Sequence, residues 1–94
     1  MAIDEDPEGY EIAALDAIAP SFASRRVVEI GCGDGRLTRH YAHTAASVIA
    51  IDPDEEAIAE LAADLPMVET QAIGVEAFVL PPRSVDIVLF AWAL

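Results

Sequence analysis

Three glycines at alternate positions, Gly31, Gly33 and Gly35, are the residues of this 94-residue sequence whose spacing first indicates chemistry. They directly follow residues 27–30, three of which are β-branched and apolar, so that this segment predicts a strand. They precede a short segment that predicts a helix. Glycine lets the chain turn sharply and lets a ligand approach the backbone without meeting a Cβ atom. The segment therefore predicts a ligand-binding turn between a strand and a helix.

A carboxylate at the expected distance strengthens this prediction. Asp52 stands 21 positions after Gly31, at the end of a second predicted strand. At that place a carboxylate can accept hydrogen bonds from both ribose hydroxyls of a nucleoside. The glycine turn and Asp52 together predict a nucleoside site, whereas Asp52 alone could be an ordinary cap at a strand end.

The spacing of the glycines disfavours a dinucleotide. The dinucleotide fingerprint needs a third glycine at the position that Arg36 occupies here. Glu29 and Asp34 flank the turn with negative charge, which is unfavourable for a pyrophosphate and favourable for a cationic ligand. A dinucleotide-dependent oxidoreductase is therefore the least favoured of the functions that a glycine turn allows.

These residues must be positioned by strands and helices. Along the chain, the spacing of apolar residues alternates between the period of a helix and the period of a strand. In chain order the sequence predicts a helix over residues 6–20, a strand over 27–30, a helix over 36–44, a strand over 47–51, a helix over 55–65 capped by Asp54, a weaker strand over 67–73, a loop over 74–83 and an apolar strand over 85–91. Short connections between alternating strands and helices predict an α/β, Rossmann-like parallel sheet with helices on both faces and strand order 3-2-1-4. We expect the site at the carboxyl ends of the first, second and fourth strands.

The amino-acid composition disfavours anionic binding partners. Asp and Glu total 17 against five basic residues, all of them Arg, for a formal net charge of −12. A chain without clustered basic residues is not expected to bind a nucleic-acid backbone or an anionic membrane. The acidic composition fits adaptation to high salt and equally fits the codon preference of a GC-rich genome, and both interpretations stay open.

The single cysteine, Cys32, excludes an internal disulfide and indicates a reducing, cytoplasmic location. We interpret Cys32 as a packed small side chain rather than a nucleophile. His40 and His43 have no carboxylate or cysteine to complete a ligand set, so no metal site is predicted. The N-terminus is acidic where a signal peptide would be basic, and no apolar run approaches the ~18 residues of a membrane span.

Residues 27–38 (VVEIGCGDGRLT) resemble the first motif of class I S-adenosylmethionine-dependent methyltransferases. Residues 50–54 (AIDPD) are similar to the ribose-binding strand end of that family, and residues 76–94 are similar to its loop and fourth strand. The sulfonium and ammonium groups of S-adenosylmethionine suit the acidic flanks of the turn. The resemblance covers roughly residues 27–94.

The resemblance implies cofactor-binding roles for nine residues, residue by residue. Gly31, Gly33 and Gly35 would pass under the methionine part of the cofactor, and Glu29 would brace the turn or reach the amino group through water. Asp52 would hold the ribose, Pro53 would pack on the adenine face, and Val75, Glu76 and Ala77 would edge the adenine ring, mainly through backbone groups. No catalytic residue is implied, because methyl transfer rests mostly on proximity and orientation.

One position departs from the family pattern. Where relatives often place an Asp that accepts a hydrogen bond from the adenine amino group, this chain has Gly74. Losing one such hydrogen bond weakens binding by ~0.5–1.5 kcal/mol, or up to about tenfold. The sequence therefore predicts weakened recognition of adenine.

The resemblance also implies that the chain is a fragment: a single, truncated domain over residues 1–94, with an N-terminal helical segment over 1–24 and a cofactor-binding half over 25–94. The fourth strand would then be an exposed edge, which favours self-association or a partner chain. The isolated chain would be inactive, and its methyl acceptor is unknown. The alternative function is a non-catalytic module that binds a nucleoside or is completed by a partner.

Overall fold

The computed structural model describes residues 19–80 and 85–91. Most of the predicted first helix falls on residues 1–18 and lies outside the described residues. A 3-10 turn, Ala19–Phe22, precedes the sheet.

Four parallel strands form one sheet. They are β1 (Arg26–Ile30), β2 (Ser47–Ile51), β3 (Glu69–Gln71) and β4 (Ile87–Phe90). Their order is β3-β2-β1-β4, and both neighbours of β1 run parallel to it. The predicted Rossmann-like order is confirmed.

Side chains of β1 alternate between the two faces of the sheet, as the geometry of a strand requires. Val27 belongs to an apolar cluster that includes Val48, Ala50 and Leu61. Val28 and Ile30 belong to a second cluster with Ile51. β1 is therefore the central strand of a sheet with an apolar cluster on each face, and its carboxyl end is held rigidly where the glycine turn begins.

Helix α1 (Glu55–Asp64) follows β2 and is capped as the sequence predicts. The Asp54 side chain accepts hydrogen bonds from the backbone N–H groups of Glu56 and Ala57, both at 3.1 Å. These bonds satisfy two of the N–H groups that lack partners at a helix start. Ile58 and Leu61 are the buried residues of α1, and they pack on the same cluster as Val27.

The helix predicted over residues 36–44 is wrong. The segment is a series of turns around one short 3-10 helix, Thr38–His40, and its bonds alternate between spacings of three and four residues. In a 3-10 helix, side chains three residues apart point the same way. Thr38 and Tyr41 are three apart and donate to the same Glu29 oxygen, so this tertiary anchor overrides the helical pattern.

Two strands are shorter than their apolar patterns predict. β3 covers three of the residues predicted over 67–73, and β4 covers four of those predicted over 85–91. The apolar pattern of β4 also predicts burial on both faces, but its residues alternate between half-buried and exposed. Ile87 and Leu89 pack on the apolar cluster of one face, whereas Val88 and Phe90 point to the other face of this edge strand and are exposed.

Asp86, directly before β4, binds the start of β1. Its Oδ2 accepts from the Arg26 backbone N–H at 2.8 Å and its Oδ1 accepts from the Arg26 guanidinium at 3.1 Å. The Arg26 hydrogen bonds hold the pKa of the Asp86 carboxyl at about 2, below its usual range. Asp86 therefore ties the residue before β4 to the start of β1.

Self-association through β4 stays a prediction, and salt is the variable that tests it. Val88 and Phe90 are 39% and 42% exposed. At low salt the net charge of −12 opposes association, and at 1 M salt repulsion is screened within ~3 Å. We expect light scattering to detect dimers or larger species that grow with salt.

Val88→Glu should suppress these species because it puts a charge on the exposed strand edge. Val79→Glu is the matched control, since Val79 is 82% exposed and precedes the strand by eight positions. Equal suppression by both variants, or a monomer at every salt concentration, would contradict the prediction.

Candidate functional site

The glycine turn begins where β1 ends. The N–H groups of Gly31 and Cys32 both donate to the Ile51 carbonyl, at 2.9 and 3.2 Å, so the turn is tied to the end of β2. Gly33 and Gly35 have φ values of +56° and +92°, which residues other than glycine rarely adopt. The glycines at these two positions are therefore required by the backbone.

Asp52 connects the turn to the end of β2. Its Oδ2 accepts from the Gly33 backbone N–H at 3.0 Å, and its Oδ1 accepts from the Asp54 backbone N–H at 2.9 Å. One hydrogen bond on each oxygen fixes the orientation of the carboxylate and leaves further lone pairs for a ligand. The predicted pair of features, glycine turn and carboxylate, is in direct contact.

A cleft of about 390 Å³ opens at this edge of the sheet. This volume falls in the range of about 300–1,000 Å³ that is typical of small-molecule sites. Its lining residues come from the end of β1, the end of β2 and the segment after β3: Ile30, Gly31, Ile51, Asp52, Pro53, Ile73, Gly74, Val75 and Glu76. The sequence predicted both the loop after the third strand, through Val75, Glu76 and Ala77, and the end of the fourth strand. No described residue of β4 lines this cleft.

Five of the nine predicted residues line the cleft: Gly31, Asp52, Pro53, Val75 and Glu76. Gly33 lines a second, acidic cleft of about 470 Å³ together with Asp34, Asp54, Glu56, Ala57 and Glu60. Asp52 separates the two clefts, because it lines the first and binds the backbone of two residues that line the second.

The other three predicted residues lie behind the cleft or beside it. Gly35 is buried against Leu61 of α1, and Ala77 ends the 3-10 turn Val75–Ala77 with its N–H on the Gly74 carbonyl at 3.1 Å. Glu29 is fully buried under the turn and lines neither cleft. Its hydrogen bonds come from Thr38 and Tyr41, which follow the turn, and its role as a brace or as a water-mediated contact to the amino group stays a prediction.

Glu29 accepts two hydrogen bonds on one oxygen. Its Oε1 accepts from the Thr38 hydroxyl at 2.8 Å and from the Tyr41 hydroxyl. Its Oε2 has no hydrogen-bond partner among the described residues. Burial raises the pKa of Glu29, and the hydrogen bonds from Tyr41 and Thr38 oppose that rise.

Cys32 lies within the turn and is 5% exposed. Burial, with the nearby charges of Glu29 and Asp52, raises the pKa of its thiol to about 12. The thiol is therefore protonated at neutral pH and is a poor nucleophile. This agrees with the interpretation of Cys32 as a packed small side chain.

Sequence reasoning missed three lining residues, Ile30, Ile51 and Ile73, and it singled out Gly74 only as the position where relatives often place an Asp. Ile30 and Ile51 are the last residues of their strands. This position could have predicted that they line the cleft, because ligands bind at the carboxyl ends of parallel strands. Their apolar side chains give the cleft a surface suited to a flat, apolar ring.

The parallel sheet has the order 3-2-1-4, with a glycine turn after its central strand and a carboxylate after the next, and this arrangement is a Rossmann-like fold with a candidate nucleoside site. The family described as "Methyltransferase domain" matches residues 27–94. The chain therefore belongs to the class I S-adenosylmethionine-dependent methyltransferase family.

Individual relatives agree with this family. A protein of Mycobacterium tuberculosis named "Probable S-adenosylmethionine-dependent methyltransferase" is 39% identical over 72 residues, which are 77% of this chain and 26% of that protein. An uncharacterized methyltransferase of Mycobacterium bovis is 35% identical over 98% of this chain and 37% of its own length. The chain thus spans between a quarter and two fifths of these curated relatives.

A solved structure agrees as well. The S-adenosylmethionine-dependent methyltransferase from Mesorhizobium loti superposes with a TM-score of 0.69 at 29% identity, over 81% of this chain and 36% of the other. The fold and the family are therefore supported both by sequence and by three-dimensional similarity.

Proposed function

We propose that this chain is the cofactor-binding part of an S-adenosylmethionine-dependent methyltransferase and that the cleft at the end of β1 and β2 binds the adenosyl part of the cofactor. The observation that carries the proposal is the Asp52 carboxylate, which lines the cleft while the backbone of Gly33 and Asp54 holds it in place. An acceptor fixed in this way suits the two adjacent hydroxyls of a ribose. The apolar lining suits the adenine ring.

The charge of the chain supports the same cofactor. S-adenosylmethionine supplies a methyl group on a positively charged sulfonium, and a net charge of −12 attracts a cation. The chain contributes binding and orientation of the cofactor, which raise the rate of transfer by proximity.

A cytoplasmic location remains part of the proposal, and the single, buried thiol of Cys32 supports it. No helix among residues 19–80 and 85–91 has the length and apolar character to cross a membrane.

Asp52→Ala should weaken binding of S-adenosylhomocysteine by roughly 10- to 100-fold, because it removes charge-assisted hydrogen bonds worth ~1.5–3 kcal/mol. Titration calorimetry of the wild type and the variant measures this. Asp34→Ala is the matched control, since it removes an exposed carboxylate from the same turn outside the adenosyl cleft.

Three outcomes would count against the proposal or favour another function. Equal losses in both variants would mean that the general negative charge, and not Asp52, holds the ligand. Binding of NAD in preference to S-adenosylhomocysteine would favour a dinucleotide enzyme instead. Cofactor binding without methyl transfer to any acceptor would favour the non-catalytic nucleoside-binding module.

A further inference from the structure

The side chain of Glu76 occupies the space that a side chain at position 74 would fill. An ideal Cβ atom built on Gly74 would lie 2.7 Å from Glu76 Oε2 and 2.8 Å from Glu76 Cδ, with Oε1 nearer still. These distances are too short for real contacts, so the carboxylate folds back over Gly74 only because position 74 has no side chain. The 3-10 turn Val75–Ala77 brings the two residues together.

Both residues line the adenosyl cleft, which makes this carboxylate part of its chemistry. Among the described residues that line the cleft, Asp52 and Glu76 are the only ionisable ones. Both are acidic and therefore act as hydrogen-bond acceptors when ionised. A ligand that satisfies this cleft needs hydrogen-bond donors at two places and an apolar body between them.

We propose that the Glu76 carboxylate accepts a hydrogen bond from the exocyclic amino group of the adenine ring and so makes the cleft select an amino-purine over a keto-purine. The inference rests on the proposed function, which assigns Asp52 to the ribose and leaves Glu76 for the base. An amino group donates to the carboxylate, whereas a keto oxygen at the same place would present a lone pair to a negative charge. Position 74 has no side chain that could accept this hydrogen bond, and Glu76, two positions further along the chain, supplies the acceptor instead.

The test compares S-adenosylhomocysteine with S-inosylhomocysteine, which carries a keto oxygen in place of the amino group. The wild type should bind the adenosyl ligand at least about tenfold more tightly, as expected for one charge-assisted hydrogen bond. Glu76→Gln should reduce this ratio by about tenfold, because the carboxamide can donate to the keto oxygen. Glu60→Gln, a change of the same kind at an exposed residue of the acidic cleft, should leave the ratio unchanged.

A rescue variant separates base recognition from a general loss of structure. Gly74 has φ −79°, which any residue adopts, and its space is blocked only by the flexible end of Glu76. Gly74→Asp combined with Glu76→Gln should therefore restore the preference for the adenosyl ligand. Circular dichroism confirms that each variant is folded.

The outcomes distinguish this inference from the function on which it rests. An unchanged ratio in Glu76→Gln, with Asp52→Ala still weakening both ligands, overturns the role of Glu76 and leaves the proposed function standing. Failure of the wild type to bind S-adenosylhomocysteine overturns both. A reduced ratio that the Gly74→Asp change restores supports a carboxylate acting on the base.

Discussion

Gly33→Val abolishes binding of S-adenosylhomocysteine in a chain that still folds, whereas Gly35→Val prevents folding: this is the result we expect from two glycines of one turn. Both have positive φ, so both variants carry backbone strain of roughly 1–2 kcal/mol. Their surroundings differ. A Cβ at Gly33 meets nothing within 4 Å, but a Cβ at Gly35 would lie 2.5 Å from Leu61 Cδ1 in the core.

The added side chain at Gly33 projects over the surface of the turn, where the proposed ligand must approach the backbone. At Gly35 the overlap adds ~1–3 kcal/mol of overpacking to the strain, a large fraction of the ~5–15 kcal/mol that keeps a domain folded. Thermal unfolding followed by circular dichroism, together with calorimetric titration, separates the two effects. Undiminished binding by Gly33→Val, or a wild-type melting temperature for Gly35→Val, would refute the corresponding role.

Tyr41→Phe should lower the free energy of unfolding by ~1.5–3 kcal/mol, because it removes a donor from a buried carboxylate. In a domain of this size each kcal/mol moves Tm by about 4–8 °C. The ring itself stays in place, with its edge-to-face contact to Phe22 at 4.9 Å between centroids. The cost should shrink in a Glu29→Gln background, where the acceptor is neutral, and a cost of equal size there would argue against an effect through Glu29.

The same network predicts a pH dependence. Burial raises the pKa of Glu29 in the folded state above its unfolded value. Its contribution to stability is therefore fully present below the unfolded pKa and is lost as pH rises through the folded pKa. Tyr41→Phe, which loses a hydrogen bond to the ionised form, should steepen this loss, and Glu29→Gln should remove it. Denaturant unfolding at several pH values measures all three slopes.

The parts of the fold that the sequence predicted are those that local chemistry determines. β2 has its predicted bounds, and Asp54 caps α1 as its residue type and position predict. The segment over residues 36–44 was predicted wrongly because its shape depends on Glu29, a residue of the preceding strand. Apolar spacing carries no information on such a contact.

The candidate site also contains one feature that the sequence predicted and one that it did not. Asp52 was predicted because a carboxylate after the second strand has few other uses beside a glycine turn. The position of the Glu76 side chain was beyond sequence reasoning, because it depends on a rotamer that only the missing Cβ of Gly74 permits. The sequence prediction of mainly backbone contacts at this loop gave no role to the Glu76 carboxylate.

The Arg26 and Asp86 pair joins positions 60 residues apart, so β4 reaches its place only by closing the longest loop in the described sheet. Contacts between distant positions form late in folding, because the entropy of loop closure must be overcome first. The adenosyl cleft is lined by residues between Ile30 and Glu76 and contains none from β4. The walls of the cleft consequently do not require β4, and a ligand bound there would stabilise β1 and β2 without any contact to the last strand.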